Sequence, residues 1–173
     1  MLFNSAEFIL LFLPVSLLLF FYLAKHKGNE VAITALVICS LFFYGWWNPK
    51  YLVLLITSMV FNYQLGKNLG QNNNKKLLAL GISLNLAAIA YFKYAGFIVF
   101  NLNALTGESW HIGSIILPLA ISFFTFQQIA YLVDSYRGIT KEYRFLHYAL
   151  FVSFFPQLIA GPIVHHKDML PQF

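Results

Sequence analysis

Charge is what this sequence has least of. Only 10% of its 173 residues are Asp, Glu, Lys or Arg, six acids against eleven Lys and Arg, where a soluble domain carries about 25%. With 60% of residues hydrophobic and 18% aromatic, the chain cannot cover a globule with polar surface, which excludes a water-soluble enzyme or binding module. Intrinsic disorder is excluded as well, because it needs low hydrophobicity and high charge. Cysteine is nearly absent: Cys39 stands alone inside an apolar run, so neither an intramolecular disulfide nor a cysteine metal cluster can form. A net charge of +5 would suggest nucleic acid in a soluble protein. In a chain with a mean hydropathy of +0.70 the cations read instead as membrane topology signals, and no nucleic-acid partner is expected.

What is present is apolar sequence in membrane-sized lengths. A helix needs about 20 apolar residues to cross a hydrocarbon core of about 30 Å. Five stretches approach this, 8–24, 31–47, 51–66, 77–94 and 115–133, and a sixth run, 145–164, is interrupted by Pro156, Gly161 and Pro162. The expected fold is all-α: a polytopic transmembrane helix bundle over residues 1–173, with about five spanning helices and a broken or re-entrant segment. The first span has Glu7 before it and Lys25, His26 and Lys27 after it, the reverse of a secretory signal, so it reads as a retained helix. The connections after spans one, three and five hold Lys25, Lys27, Lys67, Lys75, Lys76, Arg137, Lys141 and Arg144, against Lys50 and Lys93 after spans two and four. Positive residues mark the cytoplasmic side, which puts the N-terminus outside. Trp46, Trp47, Tyr51, Tyr91, Tyr94 and Trp110 cluster at the two outer turns, where amphipathic rings favour the interface. Residues 101–114 form the longest polar piece and are expected as an outer loop.

Few polar residues are left to carry chemistry. Gln127, Gln128 and Asp134 lie in the last half of span five. An amide without a partner in hydrocarbon costs roughly 2–7 kcal/mol, so these face protein or a wet cavity. They either line a substrate path or join helices by hydrogen bonds. Asp134, Tyr136 and Arg137 read as an interfacial cluster. Pro118 is expected to kink its helix. In Phe154-Phe155-Pro156-Gln157-Leu158-Ile159-Ala160-Gly161-Pro162, two prolines and a glycine free several carbonyls, and broken backbone at membrane depth is tolerated only where protein or water satisfies it. That segment is expected to line a cavity or to re-enter; a kinked crossing helix is the alternative.

The five histidines make no site. His26 and His147 sit at cytoplasmic boundaries, His111 in the outer loop, and the adjacent His165 and His166 point about 100° apart on a helix, which is poor for one metal. No zinc-protease, triad or phosphate-loop pattern occurs. No metal and no catalytic residue is expected in this chain.

The runs Ser40-Leu-Phe-Phe-Tyr-Gly-Trp-Trp-Asn-Pro-Lys50, Leu117-Pro-Leu-Ala-Ile-Ser-Phe-Phe-Thr-Phe-Gln127, Tyr131-Leu-Val-Asp-Ser-Tyr-Arg-Gly138 and Phe155-Pro-Gln-Leu-Ile-Ala-Gly-Pro-Ile163 resemble the membrane-bound O-acyltransferase family. The nearest branch is that of the bacterial alginate O-acetylation proteins, with the D-alanyl lipoteichoic acid transferase as a cousin. Family members are more than twice as long and carry their essential histidine in a His-Gly context in the C-terminal half. No His-Gly pair occurs here, so the resemblance implies an N-terminal portion that is inactive alone, ending soon after a family element. It further implies a bacterial plasma membrane location and acyl transfer from acetyl-CoA or an acyl-carrier thioester, with no tightly bound cofactor. The acceptor would be a hydroxyl of an exported polysaccharide, reached with a partner protein on the outer side. In that setting Gln127, Gln128, Pro156, Gln157, Gly161 and Pro162 are the expected tunnel-lining residues. A non-catalytic membrane scaffold and a small transporter subunit are the competing readings; no intramembrane charge pair or inverted repeat favours the latter.

Overall fold

The computed structural model describes residues 4–113, 115–140, 144–161 and Met169. Among them there are helices and no strand. A π-helical turn at Phe8–Phe12 leads into α1 (Leu13–Lys27), followed by α2 (Asn29–Trp47), α3 (Pro49–Asn72) and α4 (Lys75–Ile89). A second π-helical turn, Ala90–Tyr94, joins α4 to α5 (Ala95–Thr106). Then come α6 (Ile121–Tyr136), α7 (Phe145–Ser153) and α8 (Phe155–Ala160).

Among the described residues, three helical stretches are long and apolar enough to cross a membrane: Phe8–Lys27, Asn29–Trp46 and Lys75–Thr106. The other two expected spans fall short for visible reasons. Helix α3 has the length, 24 residues, but carries Asn62, Gln64, Lys67 and Asn68. Helix α6 has 16 residues, about 24 Å at the α-helical rise, and carries Gln127, Gln128 and Asp134.

Local chemistry sets the boundaries, and several differ from the sequence reading. The α1–α2 joint is Gly28 at φ +92°, a conformation that costs glycine nothing. The α2–α3 joint is Asn48-Pro49: Asn48 Oδ1 accepts from the Lys50 N–H at 3.0 Å, and Pro49 takes a first-turn position where no N–H is needed. Residues 67–72, beyond the expected span 51–66, continue α3, so the α3–α4 connection shrinks to Asn73, left-handed, and Asn74, which caps the Lys76 and Leu77 N–H groups. The expected outer loop 101–114 is helical as far as Thr106. There Asn101 and Thr106 bond back to the carbonyls of Phe97 and Leu102, which lets polar side chains sit in a helix, and Gly107 at φ +71° ends it. Pro118 does not kink a helix. It lies before α6, which starts only at Ile121 after a left-handed Ala120, because a proline without an N–H fits ahead of a helix better than within it. The Tyr44 hydroxyl pins this approach by donating to Leu119 O at 3.0 Å.

Helices α2 and α6 are the two hubs. The first packs against α1, α3, α7 and α8, the second against α3, α4, α7 and α8. By contrast, α1 buries only Ser16, and α5 buries nothing. Leu10, Leu18, Phe21, Phe97, Phe100 and Leu105 all point outward, as lipid-facing side chains do.

Candidate functional site

Most of the buried polar residues lie on α6 and the helices around it, and two groups of them make hydrogen bonds between helices. The first joins α3, α4 and α6. Ser58 Oγ donates to Gln128 Oε1 at 2.7 Å, and Asn62 Nδ2 donates to the same oxygen. Asn85 Nδ2 donates to Asn62 Oδ1 at 2.6 Å and to Gly81 O at 2.8 Å. Asn62, Asn85 and Gln128 are 1%, 5% and 0% exposed, while Ser58 is half-buried and, with Asn62 and Asn85, lines a cavity of about 230 Å³ between α3 and α4. Two glycines let the helices approach this closely. A Cβ at Gly66 would lie 2.2 Å from Cε1 of Tyr131, and one at Gly81 would lie 2.9 Å from Cδ1 of Leu132. Small residues at such contacts are how membrane helices reach hydrogen-bonding distance.

The second group surrounds the break between α7 and α8. In a continuous helix the Phe155 N–H would bond to Phe151 O. Here it donates to Ser40 Oγ of α2 at 3.3 Å, and Phe151 O accepts from Gln127 Nε2 of α6 at 3.4 Å. Two side chains on the hub helices thus replace one missing backbone bond, which is how non-helical backbone survives at membrane depth. The break falls at Phe154, at ψ 107°, and Pro156 sits in the first turn of α8, where its missing N–H leaves no bond unmade. At the far end the Gly161 N–H caps α8 on Gln157 O at 3.0 Å, and a Cβ there would lie 2.7 Å from Gln157 Cγ.

The expected tunnel residues therefore divide. Gln127 and Gln128 are adjacent on α6 but serve different groups, the α7–α8 break and the α3–α4 network. Gln157 is buried, Pro156 exposed and Gly161 half-buried. Pro162 lies outside the described residues, as do His165 and His166. Asp134, read as interfacial, is 6% exposed, because α6 runs between its neighbours down to its last turn. The sequence reading passed over Ser40, Ser58, Asn62 and Asn85. Asn62 and Asn85 are mid-span amides among apolar neighbours, the same signal that singled out Gln127 and Gln128.

Amides and hydroxyls of this kind hold and orient; they do not take up protons near neutral pH. Among the described residues no cluster of three or more His, Cys, Asp or Glu could hold a metal. Two amide atoms on α6, Gln127 Oε1 and Gln128 Nε2, are buried without a partner among the described residues.

A bundle of apolar helices that buries a broken backbone segment in protein defines a polytopic membrane protein. Neither a family model nor a solved structure matches the chain. Curated relatives do. The peptidoglycan O-acetyltransferase of Helicobacter pylori is 44% identical over the whole chain, and the probable alginate O-acetylase AlgI of Pseudomonas aeruginosa is 38% identical over the whole chain. The teichoic acid D-alanyltransferase of Lacticaseibacillus rhamnosus is 25% identical over 69% of it. The chain spans 38%, 34% and 26% of these relatives, in that order. These relatives are members of the membrane-bound O-acyltransferase family, and the chain is similar to a stretch of about a third of the first two.

Proposed function

We propose that this chain is the N-terminal part of a membrane-bound O-acyltransferase of the bacterial plasma membrane. The whole protein moves an acetyl or related acyl group from a cytoplasmic thioester, acetyl-CoA or an acyl carrier, to hydroxyls of an exported polysaccharide. The observation that carries this reading is the whole-chain similarity to O-acetylases of peptidoglycan and alginate. About five helices span, α3 and α6 crossing inside the bundle where polar residues meet protein rather than lipid, and the N-terminus is outside. The eight-to-two bias of Lys and Arg supports that orientation.

On this reading the 173 residues supply tunnel wall and not the catalytic group. The histidine that accepts the hydroxyl proton lies outside them, and a partner protein on the outer side presents the polysaccharide. Gln127, Gln128, Pro156, Gln157, Gly161 and Pro162 stand along the wall. The short α7 and α8, 9 and 6 residues, reach about 14 Å and 9 Å at the α-helical rise, lengths that suit re-entry from the cytoplasmic side.

The test is acetyl transfer to polysaccharide by membranes carrying the full-length protein. Gln157→Ala and Gly161→Leu are expected to reduce transfer by about tenfold or more, the scale of a misplaced tunnel wall, at unchanged protein level. Full activity in both would remove these residues from the path. Absence of acetyl transfer by the unaltered protein, with donor supplied, would overturn the reading itself.

A further inference from the structure

A pocket of about 480 Å³ opens at the end of the bundle where the α2–α3 turn meets the π-helical turn after α4, lined by Asn48, Lys50, Tyr51, Tyr91 and Phe92 together with Gly113, Ile115 and Ile116. Its size falls in the range of small-molecule sites, about 300–1,000 Å³. Counting from Lys75, about 20 residues of helix rise the 30 Å of a hydrocarbon core and end near Tyr94. Tyr91 and Phe92 therefore lie at the rim opposite the basic cytoplasmic loops.

The aromatic wall is fixed in place. Tyr91 and Phe92 meet edge to face with centroids 5.1 Å apart, and Phe92 meets Tyr51 in the same way at 6.2 Å. The Tyr51 hydroxyl donates to Ile116 O, which ties the wall to the loop that closes it. Tyr91 as a residue remains 56% exposed. Lys50 adds a cation to the lining, whereas Lys93 is engaged elsewhere, over the Tyr94 ring at 5.5 Å.

We propose that this pocket is a subsite for one carboxylate-bearing sugar unit of the acceptor polysaccharide. The proposal rests on the function proposed above and names the part of the acceptor that is held. A pyranose has an apolar C–H face and a polar rim. The exposed Tyr91 ring takes the face, Asn48 takes hydroxyls, and Lys50 takes the carboxylate as a charge-assisted bond. A phospholipid headgroup would use the same cation and the same interfacial rings but has no pyranose face to stack on Tyr91, which is the difference the experiment reads.

The experiment measures binding of a short oligouronate to the protein in nanodiscs of zwitterionic lipid, with no acyl donor present. Tyr91→Ala and Lys50→Ala are each expected to weaken binding about tenfold, while Tyr91→Phe keeps it. Both positions are at the surface, so the variants leave the fold intact. Wild-type affinity in both alanine variants, or no oligouronate binding at all, overturns the subsite. So does a Lys50→Ala variant that loses retention of anionic phospholipid and keeps oligouronate, which would make the pocket a headgroup site. If neutral N-acetylhexosamine oligomers bind as well as oligouronate and Lys50→Ala changes nothing, the carboxylate assignment falls. A protein that binds through Tyr91 and yet transfers no acyl group would sink the proposed function and leave the subsite standing.

Discussion

The two hub helices are held to their neighbours by different means. Around α2, the contact with the π-helical turn ahead of α1 and with α8 is aromatic: Phe8, Phe12, Phe43 and Phe155 meet with ring centroids 5.1–6.0 Å apart. Around α6, the contact with α3 and α4 is made of amides and a hydroxyl, Ser58, Asn62, Asn85 and Gln128, set between Gly66 and Gly81. In a membrane the difference matters more than in water. Lipid tails are as apolar as phenylalanine, so aromatic packing gains only shape and dispersion over a lipid contact. An amide has no acceptable partner in lipid, so its position in the bundle is specified. The α6 side is built for register and the α2 side for fill.

The largest effect that sharpens this contrast is expected at Gly66. A leucine there cannot coexist with the Tyr131 ring, and overpacking of a tight contact costs about 1–3 kcal/mol or more. Gly66→Leu should abolish the monodisperse peak in size-exclusion chromatography, while Gly45→Leu on α2, where a Cβ meets only Leu52 Cδ2 at 3.3 Å, should keep it. Equal behaviour of the two would break the comparison. A smaller effect separates the two kinds of contact directly. Asn62→Leu removes one of two donors to Gln128 Oε1 and one of two acceptors of Asn85 Nδ2, and it takes from the buried Asn85 Oδ1 its donor at 3.3 Å, a loss of about 1–3 kcal/mol. Phe43→Leu removes ring contacts at a fully buried position but leaves no polar group unpaired, and it should cost less than Asn62→Leu. Thermal unfolding in one detergent ranks them, and the reverse order would show that the aromatic side carries the specificity.

Much of this was legible in advance. Composition alone gave a polytopic helical protein, and the clash of Pro156 and Gly161 with an apolar run located the broken segment to within a few residues. The break itself is at Phe154, because proline is harmless in a first turn and the helix parts just ahead of it; composition marks such a site without fixing its register. Pro118 was misplaced for a related reason. An apolar approach segment such as 115–120 is indistinguishable by hydropathy from helix, and only the Tyr44–Leu119 bond and the left-handed Ala120 set the boundary. The pairing of Gln128 with Asn62 and Asn85 depends on which helices adjoin, which one sequence does not state. Gln127 and Ser40 could be flagged as polar in an apolar setting, but their service to the backbone of α7 and α8 is a property of the assembled bundle.

The smallest expected effect tests that service. Ser40→Ala removes the acceptor of the Phe155 N–H without changing volume much, and Gln127→Leu removes the donor to Phe151 O. Both bonds are long, 3.3 Å and 3.4 Å, and hydrogen bonds between membrane helices average about 0.6 kcal/mol. Each single variant should therefore lower stability only slightly. The freed Phe155 N–H and Phe151 O are, however, each other's natural helical partners, so removing both side chains allows the break to close into a continuous turn. The double variant should then cost less than the sum of the two singles, a coupling read from a double-mutant cycle of unfolding in detergent. Simple additivity would mean that the α7–α8 break is set by Pro156 and the surrounding packing alone, and that Ser40 and Gln127 only fill the space beside it.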